Sequence, residues 1–197
     1  MKKYGEIKKL SFEKLTGIFQ KATDNHYLKL YQGYVKKWVE IEVKLLSVDK
    51  TLANASFSDF RELKVEQSFT SNAIVLHEAY FDILGGTGKP EGKILEALDK
   101  DFDSFEKWFE DFKALALPTR GWAILGYDFN DGTLKNFIMD AHNLYAVCGT
   151  APILVLDMYE HAYFSDFGTD KKAYIETFFA NLNWAMINQK YERLTKV

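Results

Sequence analysis

The chain has 197 residues, enough for one large domain or two small ones that share a core. Hydrophobic residues make up 47% and charged residues 27%, which excludes wholesale disorder; 16% are aromatic, and these supply large, stiff groups for a dense interior. A net charge of −3 argues against a protein whose main task is to grip nucleic-acid backbone, and a single cysteine, Cys148, excludes a scaffold stapled by intrachain disulfides. The first residues, Met1-Lys2-Lys3-Tyr4-Gly5-Glu6, include two lysines but no apolar stretch after them, and no run approaches the length of a membrane span. The expectation is a soluble cytoplasmic protein with no membrane or nucleic-acid partner.

Helical periodicity comes first. Residues 11–23 place Phe12, Leu15, Ile18 and Phe19 on one stripe, and residues 26–48 repeat Leu30, Tyr34, Trp38, Ile41 and Leu45 at three- to four-residue spacing. A polar stretch over residues 49–59 precedes a third helical segment at residues 69–84. Gly85-Gly86-Thr87-Gly88-Lys89-Pro90-Glu91-Gly92 then holds four glycines and a proline, which cannot continue a helix. The domain boundary is placed there, giving residues 1–86 and 87–197.

Helix resumes over residues 90–102, with Pro90 in its first turn, and Asp103-Ser104 offers an N-cap for another helix buried through Phe105, Trp108, Phe109 and Phe112. After Pro118 the pattern changes. Residues 122–128 read as a strand, Asn130-Asp131-Gly132 as a turn, residues 134–140 as a second strand, and the wholly apolar Ile153–Leu156 as a buried third. Helix returns from Lys171 onward. Because strands do not alternate with helices, the fold class is α+β.

Chemistry is concentrated in few residues. Asp157-Met158-Tyr159-Glu160-His161 follows the buried third strand, so a carboxylate at a strand end and an imidazole four residues on can face one point. Such donors suit iron, manganese and zinc, although for this pair alone a capping Asp and a surface His are the more ordinary explanation. His77 lies on an apolar helical face with Ala73, Leu76, Tyr80, Phe81 and Leu84, where a hydrogen-bonded core histidine is the ordinary explanation. His26 opens a helix on the face of Leu30 and Tyr34, and His142 follows the second strand; a surface and a loop role suffice for each alone. Together, three histidines and one aspartate make a complete ligand set.

At this point the residues carry a resemblance. Asp157-Met158-Tyr159-Glu160-His161-Ala162-Tyr163 is similar to the D-x-W-E-H-A-Y signature of the iron/manganese superoxide dismutase family. Residues 26–35, HYLKLYQGYV, resemble the family's first-ligand segment, and residues 73–86, AIVLHEAYFDILGG, its second-ligand helix. Gly121-Trp122, Ala151-Pro152 and Asn183-Trp184 also fall where the family has such residues, so the resemblance spans essentially the whole chain.

What it implies is an N-terminal antiparallel helical hairpin followed by an α+β domain with a three-stranded antiparallel sheet. One iron or manganese ion per subunit would sit between them, ligated by His26, His77, Asp157 and His161. The implied reaction is dismutation of superoxide to dioxygen and hydrogen peroxide, with Tyr34 and His142 as the catalytic side chains beside the metal and Lys190 as a source of positive potential near the entrance. An isologous homodimer is implied too, in which Glu160 supports the other subunit's His161 and Tyr163 adds a contact.

Three departures from the family pattern stand out. The position four before the second ligand, often Gln, is Ala73, and the alternative Gln position is His142; Leu30 occupies a gate position that is often His; Tyr159 replaces the signature Trp. Iron is slightly favoured, from the spacing between His142 and Asp157, with either metal expected to bind. Two other readings compete: a non-haem iron oxygenase using His77, Asp157 and His161 with His26 as a spectator, and a dismutase-fold protein without turnover.

Overall fold

The computed structural model describes residues 4–18 and 20–196. Phe19 of the first expected stripe and the Met1-Lys2-Lys3 start lie outside them.

The expected first helix does not form over most of its length. Residues 11–14 are irregular, Thr16 and Gly17 form a turn closed by a Leu15–Ile18 bridge, and Gly17 takes φ +76°, a conformation that ends helical propagation. The Asn181 side chain, far along the chain, accepts from Thr16 N–H (2.7 Å) and donates to the Thr16 carbonyl (2.8 Å). Helix begins only at α1 (Gln20–Asp24), widens into a π-helical segment (Asn25–Tyr31), and continues as α2 (Gln32–Ser47).

A 3₁₀ turn (Lys50–Leu52) leads toward α3 (Asp59–Asp82), which starts ten residues before the expected point. Ser58 is its N-cap, accepting from Arg61 N–H, and Asp59 and Glu62 occupy the positive first turn. Polar contacts run Tyr31–Glu78, Trp38–Ser71 and Glu42–Gln67: as one residue number rises the other falls, so α2 and α3 form an antiparallel hairpin.

The glycine-rich stretch is stitched down rather than loose. Leu84 bridges Leu182, Gly86 N–H reaches the Asn181 carbonyl, and Asn183 N–H reaches the Ile83 carbonyl. At Gly86 a Cβ would fall 2.2 Å from the Leu182 carbonyl oxygen, which is why the chain needs glycine there. Helix α4 (Ile94–Phe102) starts four residues later than the expected Pro90, because Gly92 takes φ +95° and the Asn188 side chain caps Ile94 N–H from the far end of the chain. Helix α5 (Phe105–Ala116) is capped within the expected Asp103-Ser104 pair by Ser104, which accepts from Lys107 N–H.

The sheet is antiparallel, in the order β2-β1-β3, from β1 (Trp122–Asp128), β2 (Thr133–Met139) and β3 (Thr150–Asp157). Central β1 is buried almost throughout, and so is the second half of β3, as their continuous apolar runs require. Trp122 lies opposite both Met139 and Asp157, which puts Asp157 at the end of the sheet beside the base of the hairpin. Helix α3 lies against β3, and α5 lies against β1 and β2.

After β3 comes a helix that the sequence reading passes over, α6 (Glu160–Phe167), then α7 (Lys171–Ala180) and α8 (Trp184–Leu194). Asp170 and Asn183 cap the last two. One apolar core runs from Tyr31 and Ile74 in the hairpin through Trp108, Trp122 and Leu154 to Phe178 and Trp184, joining both halves of the chain.

Candidate metal centre

Four elements converge where the hairpin meets the sheet. The π-helical segment brings His26, α3 brings His77, the end of β3 brings Asp157, and the first turn of α6 brings His161. One donor atom from each lies within 4.8 Å of all the others. The π-helical turn matters locally: a widened turn displaces side chains from the register that four-residue periodicity assumes, and such segments occur often at functional sites.

Asp157 is the hub. Its Oδ2 lies 3.0 Å from His26 Nε2, 3.1 Å from His161 Nε2 and 3.8 Å from His77 Nε2, while its Oδ1 accepts the Tyr159 backbone N–H at 2.9 Å. Burial alone pushes this carboxyl up, but the His161 charge and the hydrogen bonds from His161 and His26 outweigh it and hold it well below the usual carboxylate range. Burial lowers His26 and, further, His77; for His161 burial is outweighed by the Asp157 charge and hydrogen bond, and its pKa rises.

His77 bears most directly on what the cluster could hold. Its Nδ1–H donates to the Ala73 carbonyl at 2.7 Å, which leaves a lone pair on Nε2. That Nε2 is fully buried, faces the other three donors and has no hydrogen-bond partner among the described residues. A buried polar atom without a partner is costly and demands an explanation. A cation bound by three imidazole nitrogens and a carboxylate oxygen supplies one, and this donor set fits iron or manganese. The carbonyl that fixes the tautomer belongs to Ala73, the residue standing at the often-Gln position.

A second chain of polar groups flanks the cluster. Trp122 Nε1–H donates to His142 Nδ1 at 2.9 Å, so the remaining imidazole proton is on Nε2, which donates to Tyr34 Oη at 3.0 Å. His142 is buried, and burial lowers its pKa to about 4, keeping it neutral. Tyr34 therefore accepts from His142 and retains its own hydroxyl proton; burial, then the Asp157 charge, raises its pKa. The ring of Tyr159, at the signature Trp position, lies 5.1 Å from His142 and stacks on His161 (5.2 Å, 11°).

The other sequence candidates lie further out. Glu160 is exposed in the first turn of α6, and Tyr163 is buried with its ring stacked 5.4 Å from Tyr174. Leu30 is half-buried. Lys190 donates to the Ala79 carbonyl at 3.1 Å and lies 3.8 Å from Asp82; burial lowers its pKa to about 8. Two side chains have local roles that the sequence reading did not identify. Trp122 fixes the His142 tautomer, and Tyr174 donates to the Asp157 main-chain carbonyl at 2.8 Å. Trp122 stands out in the sequence only through the Gly121-Trp122 pair of the family resemblance, and Tyr174 only as an aromatic in a core pattern.

Comparisons with known proteins agree with this chemistry. Residues 90–190 match the C-terminal domain of the iron/manganese superoxide dismutases. The chain is 39% identical over 189 residues to the iron superoxide dismutase of Aquifex aeolicus (strain VF5), covering 93% of this chain and 89% of that protein. It is 37% identical over 184 residues to the iron superoxide dismutase of Cupriavidus metallidurans, covering 91% and 92%. Against manganese superoxide dismutase 1 of Halobacterium salinarum the identity is 31% over 170 residues, covering 85% and 84%. From the assembled donor cluster, the hairpin-and-sheet architecture and these near full-length likenesses, the chain belongs to the iron/manganese superoxide dismutase family.

Proposed function

We infer that the protein is a superoxide dismutase, an oxidoreductase that converts two superoxide anions and two protons to dioxygen and hydrogen peroxide with one iron or manganese ion per subunit. The observation that carries this reading is the buried, unpartnered His77 Nε2 facing Asp157 Oδ2, His26 Nε2 and His161 Nε2.

In our reading His26, His77, Asp157 and His161 would hold the metal, which would supply the one-electron redox chemistry for both halves of the dismutation. The protein's share is to present three neutral imidazole nitrogens and one carboxylate, so that the bound charge stays low in both oxidation states. His142, neutral and oriented by Trp122, fixes the Tyr34 hydroxyl oxygen, and Tyr34 keeps a transferable proton at Oη for the reduced product.

We assign residues 1–86 to the hairpin half and 87–197 to the α+β half, with the metal between them. Iron is the slightly favoured metal, and both metals are expected to support some activity. A homodimer, with Glu160 supporting the partner's ligand and Tyr163 adding a contact, and a cytoplasmic location complete the reading. Among the described residues no helix is long and apolar enough to cross a membrane. An oxygenase-type triad of His77, Asp157 and His161 gains nothing from the geometry, because His26 Nε2 lies closer to Asp157 Oδ2 than His77 Nε2 does.

The test is reconstitution of the metal-free protein with each metal, with metal content and dismutation measured on the same samples. Absence of dismutation in both fully loaded forms overturns the function. Full metal retention by His26→Ala overturns the four-ligand assignment.

A further inference from the structure

Asp157 is held at a point its neighbouring elements do not satisfy by themselves. The strand pairing of β1 and β3 ends at Trp122–Asp157, and the next residue, Met158, gives its N–H to the Gly121 carbonyl at 2.7 Å. The Asp157 carbonyl instead receives the Tyr174 hydroxyl at 2.8 Å, from α7. A tyrosine has one hydroxyl proton, and Tyr174 uses it on this carbonyl. In its 3.3 Å contact with the Tyr80 hydroxyl, Tyr174 is therefore the acceptor and Tyr80 the donor.

Both phenols are buried, Tyr174 completely, so neither hydroxyl has water as a substitute partner. Tyr80 sits on α3 three residues after His77, its ring 5.2 Å from the His26 ring and stacked on Phe178 of α7 (5.8 Å, 10°). A directed chain of hydroxyls thus runs from α3 through α7 to the end of β3. It joins the elements that present His77 and Asp157 and touches His26 on the way.

We propose that the Tyr80–Tyr174 pair is a positioning clamp that sets the orientation of Asp157 relative to His26 and His77, with Tyr174 acting directly on the Asp157 main chain and Tyr80 acting through Tyr174. This rests on the metal-centre reading of those residues. The peptide plane of Asp157 determines where its Cβ points. A carboxylate already tied at Oδ1 by the Tyr159 N–H has little freedom to compensate for a rotated backbone. Groups that orient ligands in this way affect how tightly an ion is retained.

The test uses the metal-loaded full chain with Tyr174→Phe, Tyr80→Phe and the double variant. Three quantities are read: the half-time of metal release to excess chelator, the visible absorption of the loaded protein, and the melting temperature of the metal-free protein. Tyr174→Phe is expected to release metal about tenfold faster and to shift the absorption band. Tyr80→Phe, which keeps the bond to Asp157, is expected to release it about threefold faster. The double variant should match Tyr174→Phe alone, since Tyr80 acts through Tyr174.

Wild-type release and spectrum in Tyr174→Phe, even with a lowered melting temperature, reduce the pair to core packing and overturn the proposal. Multiplying effects in the double variant overturn the chain of action. If Tyr174→Phe fails to fold, wild-type release by Tyr80→Phe overturns the clamp and faster release supports it. These readouts do not involve dismutation, so an inactive but metal-loaded wild type removes the proposed function while leaving the clamp to be judged on release and spectrum. A wild type that binds neither metal removes both.

Discussion

Tyr34 receives the Nε2–H of a histidine whose other nitrogen is already committed to Trp122. The expected role of its hydroxyl is proton delivery, and that role is separable from metal binding because Tyr34 Oη bonds His142 rather than one of the four proposed ligands. Tyr34→Phe should lower turnover about tenfold with metal content unchanged; this is less than the roughly 10²-fold or more of an irreplaceable general acid, because the half-buried position admits water. An unchanged rate across the pH range would remove Tyr34 from proton supply. Lys190 allows a second prediction at this scale. Its pKa in the folded protein, about 8, is below the ordinary 10.5, so from pH 8 upward the unfolded chain holds more of its proton and stability should rise with pH. The melting temperature of the wild type relative to Lys190→Met should therefore climb between about pH 8 and 9.5. Parallel profiles would show that Lys190 pays no burial penalty for its charge.

At the scale of elements, the glycine stretch after α3 is a junction in which backbone meets backbone. Gly86→Ala would place a methyl group 2.2 Å from the Leu182 carbonyl oxygen. It should destabilise the protein by about 3 kcal/mol, read as a shifted denaturation midpoint with an unchanged slope. How far the elements were legible follows the same physics. Trp122–Asp128 could be read directly because a central strand buried on both faces is written as a continuous apolar run. Residues 59–68 of α3 could not, because that end of the helix is largely polar and its Ser58 cap lay inside a stretch without periodicity. Residues 11–18 misled, because their helical stripe yields to Gly17 and to an Asn181 side chain whose approach no local pattern encodes. Helix α6 is short and follows a strand end that already looked like a ligand motif. The four donors were individually ambiguous; their grouping came from the family resemblance, since no spacing rule relates His26 to an aspartate 131 residues away.

For the whole molecule, the exposed Glu160 stands next to the least buried of the four donors, His161. In a homodimer that brings this surface to its copy, Glu160→Ala should weaken association and metal retention together, because one carboxylate serves both. Sedimentation of an unaltered dimer with wild-type metal content would count against both roles of Glu160. The stitching of the chain's late part onto its early part has a consequence for the order of events during synthesis. His26 and His77 leave the ribosome long before Asp157 and His161, and the Asn181 contacts with Thr16 and Gly86 come later still. In the metal-centre reading, a nascent chain whose α2–α3 hairpin has already emerged carries only two of the four donors until Asp157 and His161 follow. On that reading, metal selection would fall late in synthesis, when β3 and the first turn of α6 join a hairpin that is already formed.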